Sequence, residues 1–138
     1  MTAEQLAAVR AAALPQLLRR CGDELGLAHR APLALLLTGD AELRRLNARF
    51  RDDDAPTDVL AFPGDDPGRI GDVAISVERA LAQAADAVAE LRLLAVHGLL
   101  HCTGWDHDEP RAAAAMTAAT RRLLPAQAVP ELTAGPDS

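Results

Sequence analysis

Apolar residues recur at positions 77, 81, 84, 88, 91, 95, 98 and 102, the spacing of a sustained helical face. This stripe predicts either one helix from Val77 to about Cys102 or two helices parting near Asp86, a candidate cap for the second. Ser76 is placed to cap the start. Upstream, Leu6, Val9, Ala13, Leu17 and Leu18 follow a Thr2/Gln5 capping-box pair at helical spacing. Pro15 interrupts that run, so it reads as a kinked helix or two short ones, closed by Gly22 or Gly26. Leu33 to Leu37 is a continuous apolar run after Pro32 and reads as a strand buried on both faces.

Asp40 is the candidate cap of a helix running through Phe50. Its inward positions are Leu43, Leu46, Asn47 and Phe50; Arg44, Arg45 and Arg49 point outward, and Arg51 closes it. Thr57 to Pro63 and Ile70 to Ser76 read as two strands of a hairpin, so the sheet is expected to be small and mixed. Glu109 and Pro110 begin a last helix to about Leu124. The pattern defines an α+β fold: a small mixed β-sheet packed with about four to five helices. A single domain is expected over 1–124, with 125–138, rich in proline and glycine, as a flexible tail.

Composition narrows this modestly. The chain has 138 residues, of which 49% are hydrophobic and 25% charged, an ordinary globular balance. Phe50, Phe62 and Trp105 are its only aromatics, so leucine, valine and alanine must build the core. The net charge of −6 argues against a protein that coats nucleic acid generically, though not against a local basic groove. Cys21 and Cys102 are the only cysteines, which argues against a disulfide framework and for a reducing cytoplasm. No leader or apolar run of membrane-spanning length is visible, so no membrane association is expected. His29 lies in a polar stretch and reads as an exposed surface residue.

The candidate chemistry is concentrated in one segment. Three of the four histidines, His97, His101 and His107, occur in an H-x-x-x-H-x-x-G-x-x-H pattern. Residues four apart on a helix are offset by about 40°, so His97 and His101 stack on one face. Gly104 can end the helix in a left-handed turn, letting His107 reach back to the same point. Three neutral imidazoles with a fourth position open describe a catalytic zinc site at a helix C-terminal end. Cys102 follows His101 directly and points about 100° away from it, which makes it a buried thiol rather than a ligand. The same histidine spacing occurs in zinc proteases, but those carry a glutamate general base where this chain has Gly98. A peptidase, or another hydrolase built on that base, is therefore disfavoured. Asp58 and Asp106 are candidates for orienting a histidine, with turn capping as the alternative.

With these segments placed, the sequence resembles the YbeY family of bacterial metal-dependent endoribonucleases. The matching residues are Leu46-Asn47 with Phe50-Arg51, then Pro56 to Pro63, then Gly71 to Ser76, then His97 to His107. The family commonly opens with a strand ahead of its first helix, whereas this chain's first pattern is helical. Leucine and tyrosine are frequent in the family where Cys102 and Trp105 stand here. The resemblance implies a zinc ion held by His97, His101 and His107, and a functional arginine at Arg51. Charge pairing of Arg51 with Asp52 to Asp54 is the alternative. It implies hydrolysis of single-stranded RNA in ribosomal RNA maturation at the small-subunit 3′ end and in ribosome quality control. The expected partners are the ribosome or its small subunit and its assembly factors, in the cytoplasm. Arg49 and Arg69 are candidates to line the RNA path with Arg51. A ribosome-assembly binding factor with a mainly structural zinc is the alternative reading.

Overall fold

A computed structural model describes residues 1–28, 31–66 and 68–135. The expectation for His29 lies outside the described residues. The elements run α1 (Ala3–Ala12), α2 (Leu14–Glu24), β1 (Leu33–Thr38), α3 (Asp40–Arg51), β2 (Val59–Pro63), β3 (Gly71–Ser76), α4 (Val77–Gln83), α5 (Ala87–Cys102) and α6 (Pro110–Leu123). Helices α1 and α2 are one run broken at Ala13, which sits at φ +48°. Pro15, in the first turn of α2, has no N–H to carry the ladder across the break. The Thr2/Gln5 capping box forms as the sequence predicts.

Among the described residues the sheet has three strands in the order β1-β3-β2. β1 pairs parallel with β3, and β2 pairs antiparallel with β3, giving the mixed sheet expected. Alternation sends Val59, Ala61, Val73 and Ile75 to one face, where they join the large core, and Leu60 and Ala74 to the other, against Leu43 of α3. Helix α5 lies on the first face and is buried almost all round, with Leu91, Leu99 and Leu100 essentially solvent-free. The long stripe divides where Asp86 allows: its side chain accepts from Ala89 N at 3.0 Å and starts α5.

Three expectations are corrected by this packing. β1 is an edge strand, not one buried on both faces; Leu36 is 46% exposed because α3 does not extend over it. Asp40 is not the cap of α3, which starts from Gly39 in extended conformation. Instead its carboxylate accepts from Ser76 Oγ at 2.7 Å and Arg79 Nε at 3.1 Å. Burial opposes its ionisation, but those bonds and the Arg79 charge together hold its carboxyl below the ordinary range. Phe50 is not inward: it is 56% exposed and meets the edge of Phe62 at 5.4 Å between centroids.

Gly98 has a packing reason. A Cβ built there would lie 2.6 Å from Val73 Cγ1 and 3.0 Å from Val73 Cγ2. The helix that carries the histidines thus approaches β3 more closely than any side chain permits. Gly98→Ala is expected to lower stability by about 1 kcal/mol. Overpacking of a buried, β-branched neighbour costs about 1–3 kcal/mol, and the gain in helix propensity offsets about 1 kcal/mol of it. Urea unfolding of the two proteins measures this; an unchanged midpoint would refute it.

Candidate metal centre

Helix α5 ends in a geometry that collects three imidazoles. His97 and His101 stand one turn apart, with Nε2 atoms 3.0 Å from each other and ring centroids 4.5 Å apart. After Thr103 the chain turns at Gly104, φ +100°, a conformation glycine adopts at low cost. Trp105 N donates to Leu100 O and Gly104 N to His101 O, so the last carbonyls of the helix are satisfied inside the turn. The turn returns His107, 8% exposed, to centroid distances of 5.5 Å from His97 and 5.4 Å from His101. One ring nitrogen from each histidine lies within 4.8 Å of the other two.

These donors fit a metal ion. Two nitrogens bound tetrahedrally at 2.0–2.1 Å stand roughly 3.3 Å apart, close to the His97–His101 separation. The ring of His101 is also fixed from behind: its Nδ1 lies 2.9 Å from Trp105 O. A carbonyl can only accept, so Nδ1 carries the proton and Nε2 presents its lone pair toward His97. Neither carboxylate considered from sequence supplies this contact. Asp106 Oδ1 accepts from Asp108 N at 3.2 Å, a turn contact, and Asp58 Oδ2 accepts from Gln83 Nε2 at 3.0 Å. Cys102 is turned to the sheet, with Sγ 3.8 Å from Phe62 O and 3.7 Å from Asp72 O. Burial pushes its thiol up to about 11, so it stays protonated and is no thiolate ligand at neutral pH. Both cysteines are free and buried.

The centre lies between two cavities. His101 lines one of about 790 Å³, together with Arg51, Asn47, Asp53 and Asp108. His97 and His107 line the other, of about 460 Å³, with Asp58, Gln83 and Glu90. In the first, the guanidinium of Arg51 lies over the Phe62 ring, 5.4 Å from its centroid, and Nη2 donates to Ala61 O. Of the acidic run behind it, Asp54 pairs with Arg44 at 2.8 Å, and Asp53 lines the same cavity as Arg51. Arg49 and Arg69 are not brought into this cavity. Arg49 stacks on Phe50 at 5.1 Å, and Arg69 pairs with Asp72 at 2.6 Å beside a separate groove. Asn47 escaped sequence reasoning as a site residue. It is buried, its Nδ2 donates to Ala55 O at 3.0 Å, and it shapes the loop that borders the cavity.

Of the segment expected to trail loosely after Leu124, the described residues 125–135 are packed down. Arg121 Nη2 donates to Val129 O, Gln127 Nε2 to Ala89 O, Leu132 N to Thr117 Oγ1 and Gly135 N to His107 O, all within 3.0 Å. Its sequence lacks periodicity, but its backbone is held by side chains of α6 and by the metal-centre turn. It forms one wall of the smaller cavity.

An α+β scaffold presenting three convergent imidazoles at the end of a buried helix defines a protein with a candidate histidine metal centre. Comparison with known proteins narrows that class. A sequence model described as endoribonuclease YbeY matches residues 3–127, and the chain belongs to that family. Endoribonuclease YbeY of Gloeobacter violaceus is 46% identical over 115 residues, covering 73% of this chain and 59% of that protein's length. The Solibacter usitatus protein of the same name is 47% identical over 109 residues, covering 76% and 72%. The solution structure of TM1509 from Thermotoga maritima superposes with a TM-score of 0.60 at 25% identity, covering 80% of this chain and 76% of that one. No helix among the described residues is long and apolar enough to cross a membrane.

Proposed function

We propose that this protein is a zinc-dependent endoribonuclease that cuts single-stranded ribosomal RNA. The observation that carries the reading is the placement of Arg51 and His101 on one cavity, with the other two histidines converging behind it. Relatives named as endoribonucleases support the reaction class. His97, His101 and His107 would hold the ion; three nitrogen donors with an open side suit zinc. When bound, zinc supplies a Lewis acid and a water acidic enough to ionise near neutral pH.

The chain's own residues do the rest. Trp105 O holds His101 in the tautomer that binds. Arg51, steadied by Phe62 and Ala61 O, offers a planar fork to the phosphate and to the negative charge that grows in the transition state. Gly98 leaves no carboxylate beside His97, which separates this site from the peptidases with similar histidine spacing. A cleft reads splayed single strands more readily than the deep groove of an RNA duplex. Ribosomal RNA maturation at the small-subunit 3′ end, quality control, and presentation by the ribosome or an assembly factor in the cytoplasm belong to the same proposal.

The test compares zinc-loaded protein, chelated protein and chelated protein reloaded with zinc. Each is given a single-stranded ribosomal RNA fragment and the same fragment annealed to its complement. Cleavage of the single strand that disappears on chelation and returns with zinc is expected. Cleavage that survives chelation, or that favours the duplex, would overturn the reading.

A further inference from the structure

The two cavities flanking the histidines differ in chemistry. The larger carries Arg51. The smaller has no arginine among its described lining residues; its ionisable groups besides the histidines are Asp58 and Glu90. Gln83 Nε2 donates to Asp58 Oδ2 and to Glu90 Oε2, both at 3.0 Å. That spends both N–H groups of the amide, so what this edge presents is the carboxamide oxygen and carboxylate oxygens, all acceptors. Two further polar groups of the lining are committed inward: Thr117 Oγ1 donates to Ala113 O and Thr120 Oγ1 to Met116 O. The opposing walls are apolar, from Leu93 and Leu94 of α5 and from Val129 and Leu132 of the packed C-terminal segment.

A phosphate is repelled from such a cavity. A flat neutral group with donors on its rim is not. We propose that the cavity takes an unpaired nucleobase next to the scissile phosphate and selects one carrying an amino group, guanine above the others. This rests on the endoribonuclease reading. Guanine sets two adjacent N–H donors against one carboxylate, whereas uracil offers one N–H between two carbonyl oxygens that the carboxylates oppose. The spacing suits a single nucleotide. Glu90 precedes His97 by seven residues on α5, about 10.5 Å along the axis, comparable to the reach from a phosphate to the far edge of its base. With no phenylalanine, tyrosine or tryptophan on the described walls, and with the two imidazoles of the lining assigned to the ion, stacking contributes little and the edge contacts decide. Glu90 bears a cost for its position: burial raises its carboxyl above the ordinary range, Asp58 raises it further, and the Gln83 bond opposes the rise. An amide at 90 removes that cost at neutral pH, so Glu90→Gln should melt no lower than the parent.

The test titrates the zinc-loaded full chain with guanosine and uridine 5′-monophosphates, followed through backbone amide NMR shifts. We expect GMP to shift residues 90–94 and 129–133 and to bind about tenfold tighter than UMP, within the range of one bidentate base contact. In Glu90→Gln the two nucleotides should bind alike. If that variant melts lower than the parent, Asp58→Asn serves in its place with the same expectation. Equal binding of both nucleotides by the parent, or GMP shifts confined to the Arg51 side, would overturn the proposal. Cleavage of oligonucleotides differing at one base beside the cut separates the two readings. GMP binding at Glu90 without RNA cleavage defeats the nuclease reading and leaves the base site; cleavage indifferent to that base defeats the base site alone.

Discussion

Replacing His101 with alanine is expected to strip the metal and lower RNA cleavage by about a thousandfold or more, with the protein still folded. The cleavage loss corresponds to roughly 4 kcal/mol of transition-state stabilisation, which the loss of Lewis-acid chemistry readily supplies. The structural cost is small. His101 is partly exposed at the last turn of α5, and the substitution removes its contacts to Trp105 O and His97 Nε2. Each hydrogen bond contributes about 0.5–1.5 kcal/mol, and alanine favours the helix. The core does not run through the site: Ile75, Leu91, Leu99 and Leu100 are solvent-free without any help from a ligand. A structural zinc contributes on the order of 10 kcal/mol to folding, so its loss would unfold the chain. Metal content, thermal melting and cleavage of the variant therefore separate an enzyme from an assembly factor with a structural ion. Unfolding at room temperature would favour the latter.

The legible parts of this protein are those with a period or a fixed offset. The stripe from Val77 to Cys102 and the four-residue step from His97 to His101 follow from helix geometry alone, and both stand in the structure. The choice between one helix and two was open in the sequence because the apolar face runs on through Ala84; only the bond from Ala89 N to Asp86 fixes the start of α5. What escaped depends on neighbours. Leu36 belongs to an apolar run, yet its place on an edge strand leaves it exposed. Trp105 orients His101 through its carbonyl, a group every residue has and no side-chain pattern reveals. Residues 125–135 look unstructured in sequence because their anchors are backbone groups met by Arg121 and Thr117 and a single side chain, Gln127, that reaches Ala89 O of α5. Glu90 is one acidic residue among many until the fold brings it to the cavity that holds His97 and His107.

Arg51→Ala is expected to lower the turnover of single-stranded RNA by about a hundredfold to a thousandfold, the range found when one preorganised donor to a developing oxyanion is removed. The loss should fall on kcat, since a group aimed at charge that grows during the reaction acts more on the transition state than on the bound substrate. The protein should stay folded: the guanidinium gives one bond to Ala61 O and covers a partly buried ring, together about 1–2.5 kcal/mol. Arg51→Lys is the sharper variant, because it keeps the positive charge and loses the fork. If Arg51 serves only as a positive charge that attracts RNA, lysine restores activity and the salt dependence of binding. If its planar donors must meet two phosphate oxygens while one N–H stays on Ala61 O, lysine restores binding and little of kcat. Steady-state kinetics on one RNA fragment, with melting curves of all three proteins, decide between these. Full kcat in the alanine variant would remove Arg51 from the chemistry and return the loop after α3 to a structural role.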